Sequence, residues 1–309
     1  MVATGRGVPC RAPMIHYLVT RQHAYTMASF LESWGQALAA RIRVVPYEEV
    51  LGGAVLPTGK HAYIFSDLDR LSAGLGAKEH GLLADLHAHL ERTCGAARTL
   101  NDPTRSLLRY DLLRRLHEDG RNSFGVWRAG ETPLRFPVFL RREAGFEQRP
   151  PALLAGPAEY AAAVDVARAS GILLDGVIAV EFCDTSQGGI YRKYGAFVVG
   201  ERIVPRHVFF SRGWLVKKAE LATSEQVAEE LDYVRTNPHA SQLALIAATA
   251  RISYGRIDYS LKAGSIQTWE INTNPLLASP ATEEIPARHR VHLEFAAQLD
   301  AAFAAIELR

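Results

Sequence analysis

The residues best suited to chemistry lie in one short segment, which reads RIDYSLKAGSIQTWEINTNP over residues 256 to 275. The segment carries two carboxylates and two carboxamides near a guanidinium, and a Lys-Ala-Gly sequence divides it into two halves. Because side chains alternate between the faces of a strand, each half collects its polar residues on one face. Those residues are Arg256, Asp258 and Ser260 on the first strand, and Glu270, Asn272 and Asn274 on the second.

The length of the turn between these strands decides whether the two polar faces coincide. We expect a three-residue loop over residues 262–264, with Gly264 in the left-handed conformation that suits glycine. That loop places Asp258 diagonal to Glu270 on the same face, with Cα atoms roughly 7–8 Å apart. A two-residue loop would instead place Asp258 on the face of Trp269, which we expect to point into the core.

Two carboxylates and an amide oxygen are hard ligands, suited to a Mg²⁺ ion that also bridges substrate phosphates. Arg256 beside them could hold phosphate or a developing oxyanion. The alternative is an amphipathic hairpin with one solvated face, in which Arg256 is an exposed residue paired with a surface acid. Two Asn residues just before Pro275 are poor strand residues, and this favours a site over the alternative.

The spacing RxDYxxxxGxxxxxEINTNP resembles the end of an ATP-grasp domain, as in D-alanine–D-alanine ligases, glutathione synthetases and RimK-type ligases. The resemblance implies that Asp258, Glu270 and Asn272 bind the metal, with Asn274 as a neighbour of less defined role. It also implies that Arg256 is catalytic and steadies the transferring phosphate and the tetrahedral intermediate. ATP and Mg²⁺ are the cofactors that it implies.

The same resemblance implies nucleotide contacts earlier in the chain. VIAVEFCD, residues 177 to 184, resembles the hinge strand of the fold. Backbone groups near Glu181 and Phe182 would read adenine there, and Asp184 would accept the ribose hydroxyls. The basic side chains that would reach phosphate from the next strand are Arg192 and Lys193.

The chain departs from the family pattern at the nucleotide phosphates. ATP-grasp enzymes usually place two lysines there, and the matching positions are Arg109, counted back from Leu116, and Arg141, at the end of FPVFLR. Arginine keeps the charge but is planar and bidentate, so the exchange is not neutral. The following loop, REAGFEQRPP, lacks the several glycines usual over the phosphates, and NTNP is not followed by the usual Gly. Ordinary surface charges remain the alternative for both arginines.

The elements that must position these residues divide the chain into three parts after a flexible extension over residues 1–13. Residues 14–103 alternate strands and helices, which predicts a small parallel α/β domain that resembles a pre-ATP-grasp domain. Residues 104–175 form an α+β unit that resembles the ATP-grasp small subdomain, or lid. Residues 176–309 resemble the large subdomain. The predicted fold is therefore α/β and α+β, an ATP-grasp fold with an N-terminal α/β domain.

Two longer helices are expected from apolar spacing, over Met27–Arg41 in the first part and over Ser241–Tyr254 in the last. A hairpin is expected at Gly200-Glu201, between strands that end and begin beside this turn.

Composition narrows the function classes. The 309 residues include 35 basic and 33 acidic residues, a net charge of +2 that gives no argument for nucleic acid or membrane as partner. No run approaches the roughly 18 apolar residues of a membrane span. The three cysteines, Cys10, Cys94 and Cys183, form no zinc motif and are expected to be reduced thiols in a cytoplasmic protein. P-loop and dinucleotide-binding glycine motifs are absent from the sequence.

The favoured prediction is an ATP- and Mg²⁺-dependent ligase that joins a carboxylate to an amine through an acyl phosphate. Its substrate would be a small molecule or a peptide. A degenerate nucleotide-binding regulatory or scaffold protein is one alternative, which the two arginine replacements favour. A kinase built on the same fold is another. The oligomeric state is left open, with a homodimer among the options.

Overall fold

The computed structural model describes residues 13–145, 151–277 and 285–307. Nearly all of the predicted N-terminal extension lies outside these ranges, and so does the middle of the glycine-poor loop after Arg141. The described chain builds three β-sheets, one parallel and two antiparallel. No helix within these ranges is long and apolar enough to cross a membrane.

The first sheet is parallel, with strand order β2-β1-β3-β4, as the alternation of strands and helices predicts. Its central strand β1 (Ile15–Val19) is buried at every position, as expected where helices cover both faces of a parallel sheet. From its carboxyl end, β1 leads to β2 on one side, whereas β3 leads to β4 on the other, which makes the carboxyl edge of β1 and β3 a topological switch point. The other strands are β2 (Ile42–Pro46), β3 (Ala62–Phe65) and β4 (Thr99–Leu100).

The helices of this domain are α1 (Tyr25–Glu32), α2 (Gln36–Ala39), α3 (Tyr47–Leu51), α4 (Leu68–Gly74) and α5 (Ala77–Cys94).

The single helix predicted over Met27–Arg41 is wrong, because the structure breaks it into α1 and α2. The chain turns at Gly35, whose amide donates to the carbonyl of Phe30 at 2.8 Å. A Cβ atom at position 35 would lie 2.5 Å from two carbons of the Phe30 ring. The close approach of that ring requires glycine, and apolar spacing alone gives no sign of it.

The second sheet is a small antiparallel one with order β5-β7-β6. Its central strand is the segment that resembles the hinge, although the predicted boundary after residue 175 assigns that segment to the large subdomain. The strands of this sheet are β5 (Val126–Arg128), β6 (Val138–Arg142) and β7 (Val177–Glu181), and the helices in this part of the chain are α6 (Arg109–Glu118) and α7 (Pro157–Ala169).

The third sheet is antiparallel with order β11-β10-β8-β9. Helices pack against one of its faces and leave the other face to the candidate site. The expected hairpin at Gly200-Glu201 is confirmed. The elements are β8 (Tyr191–Val199), β9 (Arg202–Ser211), α8 (Ser224–Thr236), α9 (Ala240–Ala250), β10 (Tyr254–Lys262), β11 (Ser265–Asn272) and α10 (His289–Glu307).

The helix predicted over Ser241–Tyr254 extends too far. It ends at Ala250, where Arg251 adopts a left-handed conformation with φ of 55°, and Tyr254 already begins β10. Apolar residues continue across this change from helix to strand, so their spacing does not mark it.

Candidate functional site

The β10–β11 hairpin brings Asp258 and Glu270 together, by a route that differs from the predicted one. The turn has two residues, Ala263 and Gly264, both with positive φ, and not the predicted three. A two-residue turn in a regular ladder would pair Asp258 with Trp269. A β-bulge leaves Trp269 without a partner in the ladder, so that Asp258 lies directly opposite Glu270.

The bulge also changes the position of Trp269, which was expected in the core on the face away from the site. Its side chain instead lines the cavity described below, and its indole Nε1 donates to Ser260 Oγ at 3.0 Å. The ring stacks on Phe124 with centroids 5.1 Å apart. Ile271 is buried as predicted.

A cavity of about 430 Å³ lies between the hairpin face of the third sheet and the part of the small sheet formed by β6 and the residues that follow β7. This volume is within the range of small-molecule sites. One part of its wall is aromatic and apolar, and another carries charge. The predicted residues that line it are Arg141, Phe182, Lys193, Arg256, Asp258, Glu270 and Asn272.

Asp258 is held by two cations at the charged part of the wall. Arg256 donates from Nε to one carboxylate oxygen at 2.6 Å and from Nη2 to the other at 3.0 Å. Lys193 Nζ donates to the second oxygen at 3.2 Å. Burial alone would lower the pKa of Arg256, but the charge and hydrogen bonds of Asp258, together with the charge of Glu270, raise that pKa, so this guanidinium stays charged.

Glu270 faces two further guanidinium groups. Arg109 makes a short ion pair with its Oε2, and Arg141 Nη2 lies 3.6 Å from the same oxygen. Burial alone would raise the pKa of Glu270, yet the charges of Arg109 and Arg141 outweigh burial and lower that pKa to about 2. The carboxylate is therefore ionised at any physiological pH.

Arg109 lies behind Glu270 and does not line the cavity. Its guanidinium also donates to the backbone carbonyls of Arg142, Glu143 and Gly145, at the start of the glycine-poor loop. Its side chain is only 5% exposed. In this structure Arg109 connects the loop to Glu270, whereas Arg141 reaches the cavity itself.

The apolar part of the wall combines aromatic rings from separate elements. Trp214 packs against Phe139 of β6 and Phe182 after β7, with ring centroids 4.9 Å and 5.7 Å apart. Such a wall suits a flat aromatic ring. The Phe182 amide donates to the Pro137 carbonyl at 2.8 Å, and the Glu181 amide to Gly125 at 3.0 Å.

Besides Arg109, three residues assigned to nucleotide binding do not line the cavity: Glu181, Asp184 and Arg192. The Glu181 carboxylate accepts the Gly125 amide at 2.8 Å and pairs with Arg135. Asp184 is exposed beside the cavity and accepts the Ser186 amide at 2.9 Å, a hydrogen bond that lowers its pKa.

Arg192 lies on the opposite face of β8 from Lys193, as alternation along a strand requires of neighbouring residues. Its Nε donates to Glu229 at 2.8 Å, in a second hollow on that face. The structure thus brings Lys193 to the cavity but not Arg192.

Asn274 contacts the N-terminal domain and not the cavity. Its side-chain oxygen accepts from Tyr17 at 2.8 Å and from Thr26 at 2.5 Å. Its backbone amide donates to Asn272 Oδ1 at 2.9 Å. Asn274 therefore links the first sheet to the candidate metal ligand.

Several wall residues were not predicted from the sequence. The run Trp214-Leu215-Val216-Lys217 follows β9 and lines the cavity with three apolar side chains and one cation. In the sequence, the sign that this segment could line a site was an apolar run with neither strand nor helix spacing. The remaining unpredicted wall residues include Phe139, Cys183, Thr185 and Tyr191.

The chain was compared with known proteins, and no protein-family model and no curated protein matches it. Solved structures do match. A D-alanine–D-alanine ligase from Bacillus anthracis complexed with ATP is 12% identical with a TM-score of 0.52, over 96% of this chain and 99% of that one. ATP-grasp ligase PsnB, complexed with a phosphomimetic variant of its minimal precursor, Mg and ADP, is 11% identical with a TM-score of 0.51, over 93% and 97%.

The chain therefore has the ATP-grasp fold over nearly its whole length, as the resemblance of residues 256 to 275 to an ATP-grasp domain implied. Identities this low establish a shared fold, and function has to be argued from the site residues.

Proposed function

We propose that this chain is an ATP- and Mg²⁺-dependent ligase that joins a carboxylate to an amine through an acyl phosphate. The observation that carries the proposal is the charge of the cavity wall. Among the described residues, four cations and only two carboxylates line the cavity, next to an aromatic wall. The cations are Arg141, Lys193, Lys217 and Arg256, and the carboxylates are Asp258 and Glu270.

A site with two positive charges in excess favours a polyanion over a free metal ion. The aromatic wall of Phe182 and Trp214 would hold the adenine, and the cations would hold the phosphates. The two neighbouring ligases with bound ATP or ADP support this assignment. Arg141 and Lys193, now paired with carboxylates, would exchange these partners for phosphate oxygens.

The residues also fit Mg²⁺ that arrives with the nucleotide. Asp258 and Glu270 lie directly opposite each other in the ladder, and Asn272 follows on the same strand. Their oxygens are hard ligands, and the phosphates would complete the shell. In the described ranges no three His, Cys, Asp or Glu residues form a metal cluster of their own, which agrees with a metal held jointly with substrate. Bound Mg²⁺ would neutralise phosphate charge during transfer.

Arg256 is the residue we assign to transition-state stabilisation. It pairs with Asn272 in the ladder and its guanidinium is fixed on Asp258, so it lies beside the proposed metal. In an acyl-phosphate mechanism the substrate carboxylate attacks the γ-phosphate, and an amine then displaces phosphate from the acyl carbon. A fixed guanidinium at this position stabilises the negative charge that moves in both steps.

The test is product detection with ATP, Mg²⁺ and a small-molecule cell extract, with phosphate release measured in parallel. We expect release of ADP and phosphate together with a product whose mass equals two extract components minus water. A phosphorylated alcohol formed without phosphate release would show a kinase instead. ATP binding without any turnover would support the regulatory or scaffold alternative and overturn the ligase.

A further inference from the structure

A cluster of polar side chains lies outside the cavity, at the switch point of the first sheet. Thr20 follows the end of β1 and Asp67 follows the end of β3, so the two meet at the carboxyl edge of neighbouring parallel strands. His23 lies in the turn after Thr20. In open parallel sheets this crevice is where ligands bind. The proposed ATP and metal contacts make no use of these three residues.

The three side chains form one hydrogen-bonded unit. Thr20 Oγ1 donates to Asp67 in a short hydrogen bond, which leaves the hydroxyl oxygen as acceptor for His23 Nδ1 at 2.8 Å. His23 Nδ1 also lies 3.2 Å from Asp67 Oδ2. Both neighbours accept from Nδ1, and this network assigns the proton to Nδ1 and the lone pair to Nε2.

Burial and a second hydrogen-bond partner fix the Asp67 carboxylate beside His23. Its side chain is fully buried, whereas the His23 side chain is 19% exposed. Arg70 Nη1 donates to its other oxygen at 2.5 Å. The backbone of Asp67 is left-handed, with φ of 57°, a conformation that few residues other than glycine adopt and that is often found at functional sites. A buried carboxylate thus orients a partly exposed imidazole, as in enzymes that use histidine as a base.

Two links place this cluster beside the proposed metal site. Asn274 Nδ2 donates to the His23 carbonyl at 3.3 Å, and Asn274 is two residues from Asn272, so their Cα atoms are at most about 7 Å apart. Thr273 accepts the amide of Leu68, next to Asp67, at 2.9 Å. Asp69, in the first turn of α4 just after Asp67, carries a charge that interacts with that of Glu270.

We infer that His23, oriented by Asp67 and Thr20, is the general base that deprotonates the amine substrate; this rests on the proposed ligase function. An amine arrives as an ammonium ion and cannot attack until it loses a proton. Nε2 of His23 takes that proton, and the nitrogen lone pair forms the C–N bond at the acyl phosphate. As the C–O bond to phosphate breaks, phosphate leaves with the electron pair and takes the second proton that the nitrogen loses in becoming an amide. Arg70 and Thr20 act only as positioning residues for Asp67.

Hydroxylamine distinguishes the attack of the amine from the earlier formation of the acyl phosphate. It is largely unprotonated at neutral pH, so it needs no base to convert an acyl phosphate into a hydroxamate. With ATP, Mg²⁺ and the small-molecule extract, His23→Asn should lower amine product about 10²-fold, the usual size of a general-base effect. Hydroxamate formation should stay close to that of the parent. Asp67→Asn should show the same selective loss, and Asn tolerates the left-handed backbone there.

His239→Asn is the matched control. His239 is also half-buried and its Nδ1 also lies 2.8 Å from a hydroxyl, that of Tyr259, but it belongs to the helical face of the third sheet. Both reactions should be unchanged in this variant, and thermal melts check folding of all three.

Amine ligation that persists in both His23→Asn and Asp67→Asn would overturn the inference and leave the ligase proposal standing. Equal loss of ligation and hydroxamate would also overturn it. A parent protein that forms neither product would remove the ligase proposal itself and the inference with it.

Discussion

The β10–β11 hairpin and the carboxyl edge of the first sheet both present buried carboxylates to the same region, but their partners differ. Asp258 and Glu270 are paired with arginines and a lysine. Asp67 is paired with Arg70 through one oxygen, but its other oxygen is shared with a histidine ring and a hydroxyl. Fixed charge suits a site that holds a polyanion and a metal, whereas an imidazole beside a carboxylate suits proton transfer.

The largest effect is expected for Glu270→Gln, which removes a negative charge from the hairpin and keeps the shape of the side chain. Mg²⁺-dependent turnover should fall on the order of 10³-fold, because a charged ligand and its field are both lost. Isothermal titration of ATP with and without Mg²⁺ should show that the metal no longer improves ATP binding. A variant that turns over like the parent would show that Glu270 does not bind the metal.

The next largest effect is expected at Arg256. Arg256→Ala should lower turnover on the order of 10²-fold and change ATP affinity little, since a moving charge is stabilised more in the transition state than in bound ATP. Arg256→Lys should recover only part, because the forked donor geometry is lost. Steady-state kinetics with a confirmed substrate measure both. Unchanged turnover in folded Arg256→Ala would leave only a structural ion pair with Asp258.

The two arginines at the lysine positions should differ, although the sequence suggests the same role for both. Arg141→Ala should weaken ATP binding about tenfold and adenosine binding much less, since Arg141 lines the cavity. Arg109→Ala should weaken both ligands alike and lower the melting temperature, because it removes the bonds that join the loop carbonyls to Glu270. Equal behaviour of the two variants in both assays would contradict this division.

The hairpin could be predicted from the sequence because its functional residues lie within one segment. Alternation along each strand correctly placed Arg256, Asp258 and Glu270 on one polar face. The register needed a bulge at Trp269, and a tryptophan in a bulge looks the same in sequence as one in a regular strand. The predicted three-residue turn put Asp258 and Glu270 on the same face, but by the wrong geometry and diagonal to each other instead of directly opposite.

The cluster of Thr20, His23 and Asp67 could not be predicted, because Asp67 is 44 residues from His23 in the sequence. Only the order of the parallel strands brings them together. The same reason explains the aromatic wall, where Phe139 lies on β6 and Trp214 in the segment after β9. Arg192 and Lys193 show a related difficulty. Because side chains alternate along a strand, only one of these two neighbours faces the cavity. To choose Lys193 one has to know which face of the sheet the helices cover.

The smallest effect concerns Asp69, in the first turn of α4, two residues after Asp67. Burial raises its pKa to about 6, with Arg109 opposing and Glu270 adding to the rise. A carboxyl whose pKa is higher in the folded than in the unfolded protein contributes stability below its unfolded pKa, and this contribution is lost as the pH rises through about 6. At pH 7.5 the ionised Asp69 therefore destabilises the fold, and an amide in its place would not.

Asp69→Asn should consequently raise the free energy of unfolding by about 1–2 kcal/mol at pH 7.5, with the gain vanishing near pH 4. Urea titrations at both pH values measure it, and Asp165→Asn, on the exposed surface of α7, is the control. Glu270→Gln should instead lower the free energy of unfolding at pH 7.5. The Glu270 pKa is lowered to about 2, so its ionised form stabilises the fold at pH values above its pKa in the unfolded chain. A loss of stability in Asp69→Asn at pH 7.5 would mean that attraction to Arg109 dominates the energy of Asp69, as it does for Glu270. The contrast between the β10–β11 hairpin and the carboxyl edge of the first sheet would then not extend to Asp69.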